Sequence, residues 1–423
     1  MKLLVIGSGG REHAIAKKFA ESPLVETVYC AKGNIGMEND GIQLVDIAEN
    51  DHQALIHFAK SEKITWTFIG PEIALFEGLV DVFDRAGLKV FGPSKKAADL
   101  ECSKQFAKEL MEKYAIPTAT YEIFEEYDAA LAYVEKCGVP IVIKADGLAA
   151  GKGVVVAMTL TEATNALSEM LVKGKYAAGK PKVVIEEYLE GEEFSLFALV
   201  NGSNYYYAGV AQDHKRAYDG DKGPNTGGMG AYSPVPQVSQ AVIQEVLETV
   251  IKPTVNAMVA ESRPFKGVIY AGLMMTKNGL RVIEFNARFG DPETQVILNQ
   301  LDSDFVQIID DILNGKDPVI KMHTDRYTLG VVVAAEGYPE NTVKDIPLPQ
   351  LTATDSDCTI YNAGMKKDKS SLVSDGGRIF LVAAQGSTLQ EAQDKAYYYL
   401  TNNQIAHTFY RFDIGDNAIQ FTK

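Results

Sequence analysis

Arg281-Val282-Ile283-Glu284-Phe285-Asn286-Ala287-Arg288-Phe289-Gly290-Asp291-Pro292-Glu293-Thr294-Gln295 alternates over its first half as a strand does. Side chains two apart share a face. The pattern therefore puts Glu284, Asn286 and Arg288 on one side, and Ile283, Phe285 and Ala287 on the other, towards a core. A carboxylate and an amide oxygen at this spacing suit Mg²⁺, which takes hard oxygen ligands, few of them from protein, and completes its shell with phosphates and water. Arg288 beside them matches a carboxylate or a phosphate. The same spacing also describes a solvated strand face. The charged turn Gly290-Asp291-Pro292 weighs against that, because a bare connector needs no carboxylate.

Outward from this stretch, 423 residues suffice for two to four domains. With 46% hydrophobic and 23% charged residues the chain has material for a large core. A net charge of −15 argues against nucleic acid or an anionic membrane as partner, since both reward clustered Lys and Arg. Small phosphate ligands need only local donors. Cys30, Cys102, Cys137 and Cys358 lack metal or redox spacing, which points to a reduced, intracellular protein. The start, Met1 to Ile6, is too short for a signal segment, and no apolar run approaches the ~20 residues of a membrane span. The expected location is cytoplasmic.

Leu3-Leu4-Val5-Ile6 reads as a buried parallel strand. Gly7-Ser8-Gly9-Gly10-Arg11-Glu12-His13 then turns into a helix, read as Ala14 to Ala20. Such a turn exposes backbone N–H groups and is an anion site. It is not a dinucleotide fingerprint. Glu12 occupies the third glycine position, and the next strand, Thr27 to Cys30, runs into Ala31-Lys32 with no acid for a ribose. The turn fits a phosphate, and equally a glycine turn needed only for packing. Trp66 to Ile69 leads to Gly70-Pro71-Glu72, and Val90-Phe91 to Gly92-Pro93-Ser94. Strand ends of this kind meet at one edge, where ligands sit. Glu72 fits there as a ligand acid, or as a first-turn acid favouring the helix dipole.

A helix over about Ser103 to Tyr114 and a break at Ile116-Pro117-Thr118 precede a unit with its own rhythm. It holds a helix within Glu122–Cys137, strands at Pro140–Ala145 and Val154–Val156, a helix at Thr161–Lys173 and a strand at Lys182–Glu187. Its loop, Gly147-Leu148-Ala149-Ala150-Gly151-Lys152-Gly153, is one residue short of a Walker A and lacks the following Ser or Thr. Between two strands it can fold over a triphosphate as a flap. Lys144 can meet the same phosphates or snorkel from an edge strand. The acid run Glu186 to Glu193 lies between apolar strands, so it reads as a hinge, followed by a strand from Phe194 to Val200.

Gln212-Asp213-His214-Lys215-Arg216 ends a strand, and Ala217 to Pro236 reads as a long glycine-rich functional loop. Val238 to Glu261 reads as a long helix interrupted by Pro253. Val268–Thr276 and Leu280–Asn286 form a hairpin around Asn278-Gly279. From Tyr327 a further unit carries strands at Leu329–Ala335 and Arg378–Ala383 and a helix opened by Thr388-Leu389-Gln390-Glu391. It shows no catalytic constellation and reads as a cap on a cleft wall.

Taken together, Gly7–His13, Lys144–Val154, Gln212–Arg216, Gly223–Pro234, Arg288–Gln295 and Tyr410-Arg411-Phe412-Asp413-Ile414-Gly415 resemble the ATP-grasp superfamily. Within it the chain is similar, nearly end to end, to the glycinamide ribonucleotide synthetases (phosphoribosylamine–glycine ligases) of purine biosynthesis. The resemblance implies an α/β chain of three parts. These are a Rossmann-like parallel-sheet domain (1–102), an ATP-grasp domain (103–326) with a lid over about 119–190, and a small α+β domain (327–423), with no fused partner enzyme.

The resemblance also implies a reaction: ATP, glycine and 5-phosphoribosylamine give glycinamide ribonucleotide, ADP and phosphate through a glycyl phosphate. By position, Glu284 and Asn286 would hold Mg²⁺ or Mn²⁺. Lys104, Lys144, Gly151, Gly153, Glu186, Leu189 and Glu193 would bind ATP. Asp213 and Arg288 would bind glycine, with Arg288 and Lys144 catalytic. Gly9, Gly10, Arg11, Glu12, Glu72, Gly228 and Met229 would receive the sugar amine. Such a chain would act as a monomer or weak homo-oligomer. Three positions depart from the family pattern: Ile73-Ala74-Leu75 after Glu72, Lys32, and Cys102 before Ser103-Lys104. Two other readings stay open at this point: an ATP-grasp ligase or carboxylase with a different acceptor, and a nucleotide-binding sensor without turnover. Glu284, Asn286 and Arg288 weigh against the sensor, which needs no metal–phosphate cluster.

Overall fold

The computed structural model describes residues 1–147, 153–177, 179–351 and 357–422. The N-terminal sheet is parallel, in the order β3-β2-β1-β4-β5, built from β1 (Lys2–Gly7), β2 (Thr27–Lys32), β3 (Gln43–Val45), β4 (Trp66–Ile69) and β5 (Val90–Phe91). Leu3, Leu4, Val5 and Ile6 are fully buried, as a central strand covered on both faces requires. Chain order reverses between β1 and β4, so a crevice opens at the ends of these strands. The first helix starts at Gly10, one turn earlier than the sequence pattern suggests, and runs to Ala20.

A separate antiparallel sheet, β6-β9-β7-β8, comprises β6 (Tyr121–Phe124), β7 (Ile141–Ala145), β8 (Val154–Ala157) and β9 (Val183–Glu187). Its apolar residues form their own core, with Ala130, Val134, Ile143, Leu167 and Ile185 at the centre. Residues 148–152 of the glycine loop, Gly151 among them, lie outside the described residues.

The third sheet runs β16-β15-β10-β11-β14-β17-β22-β19, with β23 (Thr408–Phe409) added on β17. Its strands are β10 (Gly191–Asn201), β11 (Asn204–Asp213), β14 (Gly230–Ser233), β15 (Lys266–Thr276), β16 (Gly279–Asn286), β17 (Tyr327–Ala335), β19 (Cys358–Asn362) and β22 (Arg378–Gly386). Smaller ribbons pair β12 (Arg216–Tyr218) with β13 (Lys222–Asn225), and β18 (Pro347–Leu348) with β21 (Ser371–Ser374) and β20 (Met365–Asp368).

Four expectations change here. Glu192 and Glu193 belong to β10, so the hinge shortens to 188–190. The stretch 217–236 is no free loop. It contributes β13 and β14, and β14 pairs Gln212↔Tyr232 on one side and Val331↔Gly230 on the other. This short strand welds the middle of the chain to its C-terminal part, and one hydrophobic core runs through both. The helix after it carries a π turn at Leu247–Ile251, just before Pro253, whose missing N–H and ring break the regular ladder. Finally, Ile283 does not share the core face of Phe285 and Ala287. The register slips between Gly272 and Leu273, which face Glu284 and Val282, so Ile283 is the extra residue of a bulge. The bulge resets the alternation: Leu280 and Val282 are buried before it, Phe285 and Ala287 after it.

An aromatic cluster locks the parallel sheet to this frame. Phe305 stacks on Phe19 with centroids 5.3 Å apart and touches Phe68 and Phe289 at 6.3 and 6.2 Å. Among the described residues no helix is long and apolar enough to cross a membrane. Phe305→Ala should leave a large apolar void and lower stability by about 3–5 kcal/mol. The check is the urea midpoint: a clear drop is expected, and an unchanged midpoint would show that the cluster repacks freely.

Candidate active site

Arg288 follows β16 and is half-buried among acids from two other elements. Its Nε lies 3.2 Å from Glu72 and its Nη2 3.0 Å from Glu101, while Nη1 donates to the Phe289 carbonyl at 3.1 Å. Nη2 also donates to Asn286 Oδ1 at 3.3 Å. The fork inferred from sequence is thus largely engaged by the protein itself. Burial would lower the guanidinium's proton affinity, but Glu101 and Glu72 outweigh it and raise it. Glu72 is pushed up by burial yet held at about 2 by Arg288 and then Arg11. Glu101 is raised by burial, with Arg288 opposing, and its carboxylate accepts from the Ala287 N–H at 2.7 Å.

Glu284, one step into the cleft, has four cations for surroundings. Burial raises its carboxyl, but Lys144, Lys104, Lys215 and Arg288 bring it below its usual value. Lys144 on β7 donates to the carbonyl of the bulged Ile283 at 3.0 Å and pairs with Glu186 on β9 at 3.0 Å. The register explains the pair: Val142 faces Glu186 and Lys144 faces Val184, so the two side chains are diagonal neighbours on one face. A second lysine, Lys108, meets the other Glu186 oxygen at 3.1 Å, and burial brings its pKa down to about 8. Lys144, Lys108 and Glu186 are all buried. Such a group persists only when fully paired. Lys104 donates to the Gly147 carbonyl at 3.3 Å, and Gly153 is held by the Ala145 N–H on its carbonyl at 2.8 Å. Leu189 lies in the short hinge.

Lys215 joins this cluster to a third group. It donates to Glu193 and lies 3.6 Å from Asp213. Burial would lower its pKa, but Asp213 and then Glu193 drive it well above the usual value. Beyond Asp213, buried Glu293 accepts from Tyr270 Oη at 2.8 Å, which itself accepts from Ser195 at 2.9 Å.

The glycine turn is not an empty anion site. Glu12 folds back so that its carboxylate accepts from the Gly9 N–H at 2.7 Å and from Arg11 Nε at 2.5 Å. Gly7 and Gly70, at the ends of β1 and β4, leave room for it, since a Cβ on either would overlap the Glu12 carboxyl. The acid expected to break a dinucleotide motif therefore fills the crevice. Arg11 also donates to the Phe289 carbonyl at 3.1 Å and lies 3.7 Å from Glu72, so Phe289 anchors both arginines.

Beside this turn lies a cavity of about 790 Å³, lined by Gly9, Gly10, Lys32, Asp291, Gln295 and Arg378 among others. Arg11, Glu12, Glu72, Gly228 and Met229, expected with Gly9 and Gly10 to receive the sugar amine, are not among its lining residues. Met229 is fully buried, with its N–H on the His214 carbonyl and its own carbonyl taking the Val332 N–H. The C-terminal part is more than a cap. Arg378 donates to the carbonyls of Asp291 (2.5 Å) and Gly227 (2.8 Å), tying the β13–β14 turn to the Asp291 turn.

The structure brings Glu284, Asn286, Arg288, Lys144 and Asp213, singled out in the sequence, near one another. Their partners Lys108, Glu101, Arg378 and Lys215 were not singled out. Only Lys215 had a local signal, two residues from Asp213 on the same alternation.

Among the described residues no group of three or more His, Cys, Asp or Glu can hold a metal ion. Glu284 and Asn286 offer one carboxylate and one amide oxygen, a set that fits an ion arriving with phosphates, as Mg²⁺ does on ATP.

A parallel-sheet domain, a four-stranded antiparallel sheet and a large sheet carrying a lysine- and arginine-ringed carboxylate define an ATP-grasp protein. Comparison agrees: residues 102–294 match the phosphoribosylglycinamide synthetase ATP-grasp (A) domain, 1–101 its N domain and 328–417 its C domain. The chain belongs to the phosphoribosylglycinamide synthetase family. It is 55% identical over 423 residues to a phosphoribosylamine–glycine ligase of Streptococcus pneumoniae, covering 99% of this chain and 100% of that one. One of Streptococcus suis is 54% identical over 422 residues with the same coverage. The crystal structure of the Thermotoga maritima phosphoribosylamine–glycine ligase superposes with a TM-score of 0.85 at 34% identity, covering 98% of this chain and all of that one.

Burial, and then Asp213, raise the Glu293 carboxyl from 4.5 to about 7. Its proton is thus held more tightly in the folded chain. The stability this lends is complete below about pH 4.5 and is lost as pH rises through about 7. Glu293→Gln should remove that loss. The wild-type melting temperature should fall relative to the variant by a few degrees across this range; parallel profiles would contradict the assignment.

Proposed function

We propose that the protein joins glycine to 5-phosphoribosylamine in an ATP-driven ligation, releasing glycinamide ribonucleotide, ADP and phosphate. The observation that carries this reading is the ring of Lys104, Lys144, Lys215 and Arg288 around Glu284, adjoining the Asp291 cavity. A glycine carboxylate is a poor electrophile, so it first attacks the γ-phosphoryl group of ATP, giving glycyl phosphate and ADP. The sugar amine then forms the C–N bond at that carbonyl and phosphate leaves.

Phosphoryl transfer is mainly positioning and charge neutralisation. Lys104 and Lys144 would meet the triphosphate, Gly151 and Gly153 would close over it, backbone groups of Glu186 and Leu189 would take adenine, and Glu193 the ribose. Asp213 would hold the glycine ammonium and Arg288 its carboxylate. Arg288 acts here chiefly as a fixed positive charge, because Glu72, Glu101 and Asn286 occupy most of its fork. Glu284 and Asn286 would hold Mg²⁺ or Mn²⁺, which when bound supplies further neutralisation along the phosphates.

The cavity beside Gly9 and Gly10 would receive phosphoribosylamine, with Arg11, Glu12 and Glu72 fixing its wall. Lys32 and Lys367, which also line it, suit the sugar phosphate, and Gly228 and Met229 would act from behind. The lid over 119–190 would exclude water from the acyl phosphate. The remaining boundaries would fall near 102 and 327, and the enzyme would work in the cytoplasm as a monomer or weak homo-oligomer.

Three assays test this. ADP release should need both glycine and phosphoribosylamine; release with either one omitted at the full rate would overturn the reading. Glu284→Gln should shift the Mg²⁺ dependence of turnover to higher concentration by roughly tenfold or more, as loss of a charged ligand would, and an unaltered titration would remove the metal role. Asp213→Ala should raise the glycine KM, whereas a normal KM would free Asp213 from substrate.

A further inference from the structure

The turn after Arg288 separates the cation-ringed cleft from the cavity. Asp291 and Gln295 both line the cavity and are packed against Gly10, where an added Cβ would lie 2.7 Å from Gln295 Nε2. Gln295 is 1% exposed. Its Nε2 donates to Asp291 Oδ1 at 2.8 Å, and its Oε1 has no hydrogen-bond partner. The assignment of the two amide atoms follows from the acid. Burial would raise the Asp291 carboxyl, but Arg378 and then Arg11 lower it, so it stays ionised and can only accept. The amide nitrogen must therefore face Asp291, which leaves a buried carbonyl oxygen open.

A buried acceptor without a donor is unfavourable by roughly 1–3 kcal/mol, and a chain has reason to keep one where a ligand supplies the donor. The cavity decides which donor. Lys32 from the end of β2 and Lys367 from β20 also line it and suit the phosphate, while Lys366 is paired with Asp345 and Asp375. On the Asp291 side the acid is matched by Arg378, 3.4 Å away, and Glu12 already takes the Gly9 N–H. The reacting amine must also reach the glycyl carbonyl beside Arg288, three residues before Asp291, and Arg288 and Arg11 share the Phe289 carbonyl at this point.

Resting on the ligase reading above, we propose that Gln295 is a specificity-determining residue. Its Oε1 accepts a hydrogen bond from the amine of phosphoribosylamine, orienting the nitrogen lone pair towards the acyl phosphate, and Asp291 fixes the amide in that sense.

The test separates the sugar amine from the glycine half-reaction. Hydroxylamine, a small nucleophile that needs no sugar site, traps glycyl phosphate as glycyl hydroxamate. Gln295→Leu removes the acceptor at similar volume, and Gln295→Met does so with a more adaptable side chain should the first fail to fold. With phosphoribosylamine formed in situ from ribose 5-phosphate and ammonia, the variant should show an apparent KM for it raised roughly tenfold or more, the size of a lost hydrogen bond. The KM values for ATP and glycine, and hydroxamate formation, should stay within about twofold, a split that loss of packing alone would not produce. An unchanged KM for the sugar amine overturns the proposal. An equal loss in both assays assigns Gln295 to packing and overturns it as well. If the wild-type protein makes no glycinamide ribonucleotide from ATP, glycine and phosphoribosylamine, the ligase reading itself fails, and that failure is visible without any variant.

Discussion

The guanidinium of Arg288 sits between two half-buried carboxylates, Glu72 from the edge of the parallel sheet and Glu101 from the helix Lys95–Cys102. Neither acid could be tolerated there alone. Glu101 is already raised by burial and by Glu72, and removing the cation would leave two acids facing each other. The group therefore couples three elements distant in sequence. It also fixes where Asn286 and the Asp291 turn can lie. Arg11 reinforces it through the shared Phe289 carbonyl, and the Phe289 ring packs beneath into the aromatic cluster with Phe68, Phe197 and Phe305.

From this anchor the molecule divides its chemistry into two adjoining basins. On one side β7, the helix Lys104–Lys113 and the segment after β11 supply cations, each paired with an acid: Lys144 and Lys108 with Glu186, Lys215 with Glu193. The positive field of Lys144 and Lys215, joined by Lys104 and Arg288, falls on Glu284. On the other side Asp291 and Gln295 line the cavity together with Arg378. In the proposed reaction a triphosphate would take the first basin and a sugar amine the second. The strand β14 holds the basins in register by pairing with both β11 and β17, and Arg378 bolts its preceding turn to Asp291.

Much of this was legible because the informative residues are close in sequence. Alternation in β16 placed Glu284, Asn286 and Arg288 together, and the polar end of β11 marked Asp213. The Asn-Gly hairpin and the buried run Leu3–Ile6 followed from turn chemistry and period. What escaped was long-range or local in a way that period-two reasoning cannot see. The bulge at Ile283 reverses which residues face the core without leaving a mark in the composition. The stretch 217–236 looked like a loop because its glycines permit close approach, yet four of its residues form a central strand. Lys108, Glu101 and Arg378 carry no motif of their own; each matters only through a partner 78, 187 or 87 residues away. Gln295 stood inside the recognised pattern without a role until its carbonyl oxygen was seen to be buried and unpartnered.

The most direct test of the account follows oxygen. If glycine is activated as its acyl phosphate in the cleft around Glu284, glycine carrying ¹⁸O in both carboxylate positions must hand one labelled oxygen to the phosphate released with each turnover, and the other must remain in the amide. Mass spectrometry of the phosphate should show one ¹⁸O per molecule. Unlabelled phosphate, formed at the same rate as glycinamide ribonucleotide, would contradict the account.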